Sequence, residues 1–121
     1  MTEQKSTGGL DFEILRRARE QRDAELLLSL YADDAEVRVV DRSTPPGSPK
    51  VLHGQDAAEY WRDICARDMT HHIENEVIGE DRVAFNEACE YPDGTKVLAA
   101  ETVDVRDGKI VSETIVQAWD E

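Results

Sequence analysis

Three turn signals divide the second half of the chain at nearly even intervals. Gly79-Glu80-Asp81, Pro92-Asp93-Gly94 and Asp107-Gly108 lie about 14 residues apart, and the runs between them are alternating and rich in β-branched residues. This spacing predicts four antiparallel strands of roughly ten residues each, joined by tight hairpins. Strands of that length twist and coil, so we expect the sheet to curl around the elements that cover it and to enclose a cavity.

Helical periodicity in the first half of the chain supplies that cover. Asp11 can cap a first helix and Asp23 a second, because an aspartate side chain accepts hydrogen bonds from the free amides of the first turn. The first helix carries a stripe at helical spacing formed by Phe12, Ile14, Leu15, Ala18 and Arg19. A third helix is predicted after Gly54, from the spacing of Ala57, Tyr60, Trp61, Ile64 and Cys65. The expected fold is α+β, with three N-terminal helices packed against a strongly curved, mainly antiparallel sheet.

The segment between the second and third helices is predicted to contain one strand and one stiff loop. Asp33-Asp34 favours a turn, and residues 35–41 then alternate as a strand with Val37 and Val39 on one face. Residues 42–50 hold three of the four prolines, so we expect this segment to form a flap.

Length and composition indicate a single domain. A chain of 121 residues with 40% hydrophobic residues can bury one core. Residues 1–10 are polar and contain glycine, so we predict a flexible leader there and one domain over residues 11–121.

The charge balance excludes some classes of partner. The chain has 14 Lys and Arg against 27 Asp and Glu, a formal charge of −13, which repels nucleic acid and anionic membrane surfaces. No apolar segment is long enough to span a membrane and the N-terminus lacks a secretory signal, so a cytoplasmic location is expected. Cys65 and Cys89 show no CxxC spacing, and both are interpreted as small buried side chains rather than metal ligands.

The alternation of side chains along each strand selects the residues that point into the predicted cavity. On the third meander strand, Glu101 is a carboxylate in a row of valine and alanine. Loss of hydration raises the pKa of such a carboxyl group and can adapt it for general acid or base catalysis. The alternative is that Glu101 pairs with an arginine such as Arg38 or lies on a solvated rim. Glu87, on the second meander strand, has the same two interpretations.

Other polar candidates come from the first and last meander strands. His71 and His72 face opposite sides of a strand, so a metal site built from both is not expected. His71 shares a face with Ile73, Asn75 and Val77, so either His71 or Asn75 can orient a substrate oxygen; alternatively, His71 is satisfied by a backbone group. One face of the last strand is predicted to carry Val111, Glu113, Ile115, Gln117 and Trp119.

Four passages resemble the SnoaL-like branch of the nuclear transport factor two-like superfamily. They are residues 30–37 (LYADDAEV), His53-Gly54, Asp107-Gly108-Lys109-Ile110 and Trp119-Asp120. The resemblance covers residues 11–121 and implies a cone-shaped fold with a pocket and dimerisation through the open face of the sheet. It leaves the function open, because this scaffold hosts isomerases, cyclases, epoxide hydrolases, dehydratases and binding modules.

A comparison with particular branches of that superfamily narrows the mechanism. Ketosteroid isomerases carry a general-base Asp where this chain has Val39, and an oxyanion Tyr where it has Leu15 or a neighbour. Their second Asp corresponds to Ala99. The mechanism of those enzymes is therefore not expected here. The Asp-Arg-Asp arrangement of limonene epoxide hydrolases is not visible either. Glu101 lies close to the position where SnoaL-like cyclases place an acidic group, and Trp119 resembles a pocket-lining aromatic residue.

Two functional hypotheses follow. The first is a small-molecule pocket protein that acts as a cofactor-independent acid–base enzyme of isomerase, cyclase or dehydratase type on an apolar or cyclic substrate. Glu101 and His71 are its catalytic residues, with Glu101 as the proton acceptor. The second is a non-catalytic ligand-binding or dimerisation module. No GxSxG, GxGxxG, P-loop or HExxH motif is present, and neither hypothesis needs a cofactor or a metal. The residues expected to contact a ligand are Leu15, Val39, Tyr60, Trp61, Asn75, Phe85, Glu87, Gln117 and Trp119.

Overall fold

The second half of the chain forms the predicted meander. The computed structural model describes residues 6–7 and 9–120, and it contains strands β5 (Thr70–Ile78), β6 (Arg82–Glu90), β7 (Lys96–Arg106) and β8 (Lys109–Trp119). Each of these strands pairs antiparallel with the next one. The turn chemistry alone therefore predicted most of the sheet correctly.

Two earlier strands complete the large sheet. Strand β3 (Tyr31–Val40) runs parallel to β8, and β4 (Lys50–His53) pairs antiparallel with β3, which gives the order β4-β3-β8-β7-β6-β5. The predicted turn at Asp33-Asp34 is wrong, because both residues lie within β3. The register of β3 against β8 is irregular between Tyr31 and Glu36, which accommodates them, and both aspartates remain exposed.

Three helices cover the concave face of this sheet, as predicted. They are α1 (Phe12–Glu20), α2 (Ala24–Leu28) and α3 (Gly54–Ala66). The Asp11 carboxylate accepts a hydrogen bond from the Glu13 amide at 2.9 Å, and the Asp23 carboxylate accepts one from the Leu26 amide at 3.1 Å. Both caps lie where the sequence indicated.

Helix α1 protects the edge strand β5. The Arg16 guanidinium donates to the Ile73 carbonyl at 2.6 Å, and the Ile73 amide donates to the Glu20 carboxylate at 2.9 Å. Unpaired backbone groups at a sheet edge otherwise invite pairing with another chain. These contacts fix α1 across the end of the sheet, with its apolar stripe facing inward.

The buried core begins at Leu10, one residue earlier than predicted. Leu10 was assigned to the flexible leader, but it is 1% exposed and belongs to the core. It lies in β2 (Leu10–Asp11), which pairs antiparallel with β1 (Ser6–Thr7). Gly9 has φ +89°, and a side chain there would also approach the backbone of Gly108 at 3.3 Å. Residues 1–5 and 8 lie outside the described residues, so for them the flexible leader stays a prediction.

Two register shifts change which side chains face inward. One extra residue in β5 between Glu74 and Val77, where Asn75 has φ +59°, reverses the alternation beyond it. Val77 was predicted to face inward with His71, but it is 68% exposed. A second shift, between Asp104 and Val105, buries Ile110 in place of the predicted Val111.

No helix among the described residues has the length and apolar character needed to cross a membrane. The cytoplasmic location stays a prediction.

Substitution of Leu10 tests where the folded domain begins. Leu10→Ala should lower the free energy of unfolding by about 2–5 kcal/mol, because it leaves a cavity in a packed core. Denaturant titration measures this change, with Val77→Ala as the exposed control, expected within about 0.5 kcal/mol of wild type. Equal effects of the two substitutions would place Leu10 outside the core.

Candidate functional site

A buried arginine lies at the centre of the site. Arg19 belongs to the last turn of α1, and its spacing from Phe12 and Leu15 places it on the inward stripe, where it is 2% exposed. Its guanidinium donates to Glu87 at 2.6 Å, to Glu101 at 2.9 Å and to Glu113 at 2.8 Å. One cation is thereby shared among three carboxylates.

The three glutamates come from three consecutive strands. Glu87 lies on β6, Glu101 on β7 and Glu113 on β8, and each is at most 3% exposed. Alternation along each strand turns all three toward the concave face, and the antiparallel register brings them to neighbouring positions. If all three are ionised, Arg19 leaves two negative charges uncompensated in a buried space.

This charge imbalance shifts the pKa values of Glu101 and Glu87 in opposite directions. Burial, reinforced by the carboxylates of Glu87 and Glu113, raises the pKa of Glu101 well above its ordinary value of 4.5 despite the proximity of Arg19. Burial also acts to raise the pKa of Glu87, but Arg19 and a hydrogen bond from His71 outweigh it and lower that pKa to about 2. The surroundings therefore favour the protonated form of Glu101 and the ionised form of Glu87.

Aromatic side chains complete the surroundings of Arg19. The guanidinium lies 4.0 Å from the centre of the Trp61 ring, a cation–π contact that stabilises a desolvated charge. The Tyr31 hydroxyl accepts a hydrogen bond from Arg19 at 3.1 Å and donates one to Glu113. Burial and the Glu113 charge raise the pKa of Tyr31, so its hydroxyl keeps its proton.

A second polar group adjoins the cluster through Glu87. His71 Nδ1 lies 2.7 Å from Glu87 Oε2, and Cys89 Sγ lies 3.4 Å from the same nitrogen and 3.6 Å from the same oxygen. Because the Glu87 carboxylate accepts, the hydrogen lies on Nδ1 and the lone pair of a neutral imidazole lies on Nε2. His71 Nε2 makes no hydrogen bond to any described residue. Burial raises the pKa of the Cys89 thiol, so it is not poised as a nucleophile.

Four of these residues, His71, Glu87, Cys89 and Glu101, line an open cavity of about 180 Å³ between α3 and the sheet. Tyr60, Trp61 and Ile64 of α3 form one wall, and Glu87, Cys89, Ala99, Glu101 and Ile115 of the sheet form the other. The Trp119 ring, which also lines the cavity, stacks on the Tyr91 ring at 5.8 Å and contacts the Arg42 guanidinium at 4.3 Å. Arg42 belongs to the predicted flap.

The structure brings most of the predicted site residues to this cavity. Seven of them line it: His71, Glu87, Glu101, Tyr60, Trp61, Gln117 and Trp119. Leu15, Val39 and Phe85 do not, because they are fully packed in the apolar core, where Phe85 makes an edge contact with Phe12. Asn75 is exposed and lines a groove on the outer face of the sheet, because the bulge in β5 turns it away from the cavity.

Sequence reasoning missed three members of the cluster: Arg19, Glu113 and Tyr31. An arginine within an apolar helical stripe was the available signal for Arg19. Arg38, suggested as the partner of Glu101, instead pairs with Glu36 at the surface. A carboxylate–arginine–carboxylate arrangement was not visible in the sequence, but the structure assembles one from glutamates and Arg19.

Removal of the central cation should be severely destabilising. Arg19→Met leaves three buried carboxyl groups without their shared donor, so the free energy of unfolding should fall by about 3–5 kcal/mol. Denaturant titration measures the change, and Arg17→Met, on the exposed face of the same helix, should be nearly neutral. A small effect of Arg19→Met would show that the cluster contributes little to the free energy of unfolding.

Solved structures share this fold. An NTF2-like protein of unknown function from Mesorhizobium loti superposes with a TM-score of 0.74 over 88% of this chain and 89% of its own, at 21% identity. A protein from Kribbella flavida DSM 17836, provisionally assigned as a ketosteroid isomerase, gives 0.73 over 91% and 75%, at 15% identity. IdmH from Streptomyces antibioticus, to which a polyketide cyclase activity is attributed, gives 0.65 over 88% of each chain, at 25% identity. The predicted NTF2-like architecture is confirmed.

No curated protein matches the chain at a significant level. The SnoaL-like domain matches residues 13–113, which include Arg19 and all three glutamates. The chain belongs to the SnoaL-like family.

Proposed function

We propose that the cavity binds a small, uncharged cyclic molecule and converts it by acid–base chemistry that requires no cofactor. The observation that carries the proposal is the position of Glu101, a buried carboxyl group that lines an open cavity and is held by Arg19 between two other carboxylates. Its raised pKa supports a role as proton donor rather than the proton acceptor suggested by the sequence. The likeness to IdmH, which is provisionally described as a polyketide cyclase, supports a cyclic ligand.

The proposed partner of Glu101 is His71. Glu87 holds the imidazole by its Nδ1 hydrogen, so the Nε2 lone pair is the proton acceptor, as in other carboxylate-oriented histidines. With a cyclic ketone, Nε2 removes a proton from the carbon beside the carbonyl while Glu101 protonates the carbonyl oxygen, which yields the enol. Return of the two protons restores the ketone, so the step is balanced without an oxidant or a metal.

The size of the cavity limits the ligand. Its volume of about 180 Å³ is smaller than the roughly 300–1,000 Å³ of pockets for drug-sized molecules. The carboxyl groups of Glu87 and Glu101, which line the cavity, oppose the binding of an anionic ligand. A neutral ring of modest size satisfies both limits.

Hydrogen exchange into cyclohexanone tests this chemistry. The protein in D2O should accelerate deuterium incorporation beside the carbonyl, measured by proton NMR, and Glu101→Gln should reduce the rate by about 10²- to 10⁴-fold. His71→Gln should act in the same direction. Glu90→Gln, at an exposed position of β6, should exchange at the wild-type rate. Exchange that persists in Glu101→Gln would remove Glu101 from the mechanism.

One observation favours the second hypothesis, a non-catalytic binding module. Glu101 forms an ion pair or charge-assisted hydrogen bond with Arg19 at 2.9 Å, and ion-pair networks without a catalytic role contain contacts of the same kind. A protein that co-purifies with a small molecule, identified by mass spectrometry, but does not accelerate exchange would establish this function.

We further propose that two copies associate through the outer face of the sheet. Leu98 and Val116 are 49% and 47% exposed there, and they lie opposite Ala118 and Ala100 in the β7–β8 register. Together these four side chains form a continuous apolar strip of the kind that marks an interface.

Light scattering after size exclusion tests this assembly at micromolar concentration. Wild type should elute as a dimer, and Leu98→Glu should be a monomer because it places a charge in the strip. Gln55→Glu, at an exposed position of α3 on the opposite side of the sheet, should remain dimeric. A wild-type protein that is strictly monomeric would exclude the dimer.

A further inference from the structure

We propose that His71, Glu87 and Cys89 also form a binding site for Zn²⁺, with the remaining coordination position of the ion open to the cavity. This inference goes beyond the proposed acid–base function, because that chemistry uses no metal. It rests on the arrangement of three different ligand atoms at one end of two strands.

The separations of these atoms are close to those of a tetrahedral zinc site. One nitrogen, one oxygen and one sulfur atom lie within 4.8 Å of one another. Zn–N, Zn–O and Zn–S bonds of about 2.0–2.3 Å place ligand atoms roughly 3.3–3.7 Å apart. Cys89 Sγ already meets this requirement, at 3.4 Å from His71 Nδ1 and 3.6 Å from Glu87 Oε2. The separation of His71 Nδ1 and Glu87 Oε2, now 2.7 Å, would need to widen by roughly 0.6 Å.

The backbone fixes this arrangement before any ion arrives. His71 and Cys89 are directly opposite each other in the β5–β6 register, and Glu87 lies two residues before Cys89 on the same face of β6. Ligands placed on strands are more accurately positioned than ligands on loops. The bulge in β5 begins after Glu74, so it leaves this pairing undisturbed.

Arg19 holds the proposed ligand Glu87 from outside the site. It donates to Glu87 Oε1 at 2.6 Å, which leaves Oε2 for the ion. Ligating carboxylates in metal sites are characteristically held by such an outer hydrogen bond. The three glutamates around Arg19 also leave a surplus of negative charge, which favours a divalent cation.

The ligand types select the metal. A thiolate, an imidazole and a carboxylate suit Zn²⁺ and Co²⁺, whereas Mg²⁺ and Ca²⁺ prefer oxygen ligands alone. Binding releases the thiol proton of Cys89 to solvent and requires the His71 hydrogen on Nε2, so that Nδ1 offers its lone pair. In that form Nε2 cannot accept a proton, and the metal-bound state is distinct from the state proposed for acid–base chemistry.

Titration of chelator-stripped protein with Co²⁺, without oxygen, tests the site. Wild type should show the near-ultraviolet thiolate-to-Co²⁺ charge-transfer band and the visible bands of tetrahedral Co²⁺, both lost when Zn²⁺ is added. Cys89→Ser should lose the charge-transfer band, whereas Cys65→Ser should keep it. His71→Gln should weaken binding, whereas His72→Gln, at the exposed neighbouring position, should not.

The outcomes separate this inference from the proposed function. Glu101→Gln should keep the charge-transfer band while losing exchange activity, because Glu101 is not a ligand. Absence of the band in wild type, or its persistence in Cys89→Ser, would overturn the zinc site without affecting the acid–base proposal. If Cys89→Ser does not fold, X-ray absorption of zinc-loaded wild type decides, since one sulfur with nitrogen and oxygen neighbours is expected and a shell without sulfur would refute the site.

Discussion

The shared hydrogen bonding of Arg19 is the interaction on which the interior of this protein depends. Removing a carboxylate from water costs several kcal/mol, and three of them lie side by side on the concave face of the sheet. A single guanidinium contacts all three, and it reaches them from the last turn of α1, where a positive charge also complements the helix dipole. The three buried glutamates therefore depend on the position of α1, because that helix supplies the guanidinium they share.

The cluster contains three carboxyl groups but only one guanidinium, an imbalance of charge that an ordinary core does not require. An apolar replacement of a buried ion cluster is often neutral or stabilising, so its presence is weak support for a purely structural role. Here burial and the neighbouring carboxylates raise the pKa of Glu101, whereas Arg19 and His71 lower the pKa of Glu87. Such a divergence between neighbouring groups is characteristic of sites that transfer protons or bind cations.

Much of the architecture was predictable because its signals are local. Hairpin turns, helix caps and the apolar stripes of α1 and α3 each depend on a few consecutive residues, and they appear where the sequence indicated. Inward-facing residues were predicted from the alternation of side chains along each strand. This placed Glu87 and Glu101 correctly but failed for Asn75, because one inserted residue in β5 reverses the alternation beyond it. The pairing of Arg19 could not be read in this way, since its partners lie 68, 82 and 94 residues further along the chain.

The imidazole of His71 links the two chemical roles assigned to the cavity. Glu87 is the neighbour that determines its state, because Oε2 either accepts the Nδ1 hydrogen or becomes a metal ligand beside the Nδ1 lone pair. In both cases Arg19 holds the other oxygen of Glu87, so the carboxylate keeps its orientation while the hydrogen moves between the two nitrogens. Arg19 therefore has two effects in these proposals. It stabilises the buried glutamates, and it orients Glu87, beside which a proton and a metal ion compete for Nδ1 of His71.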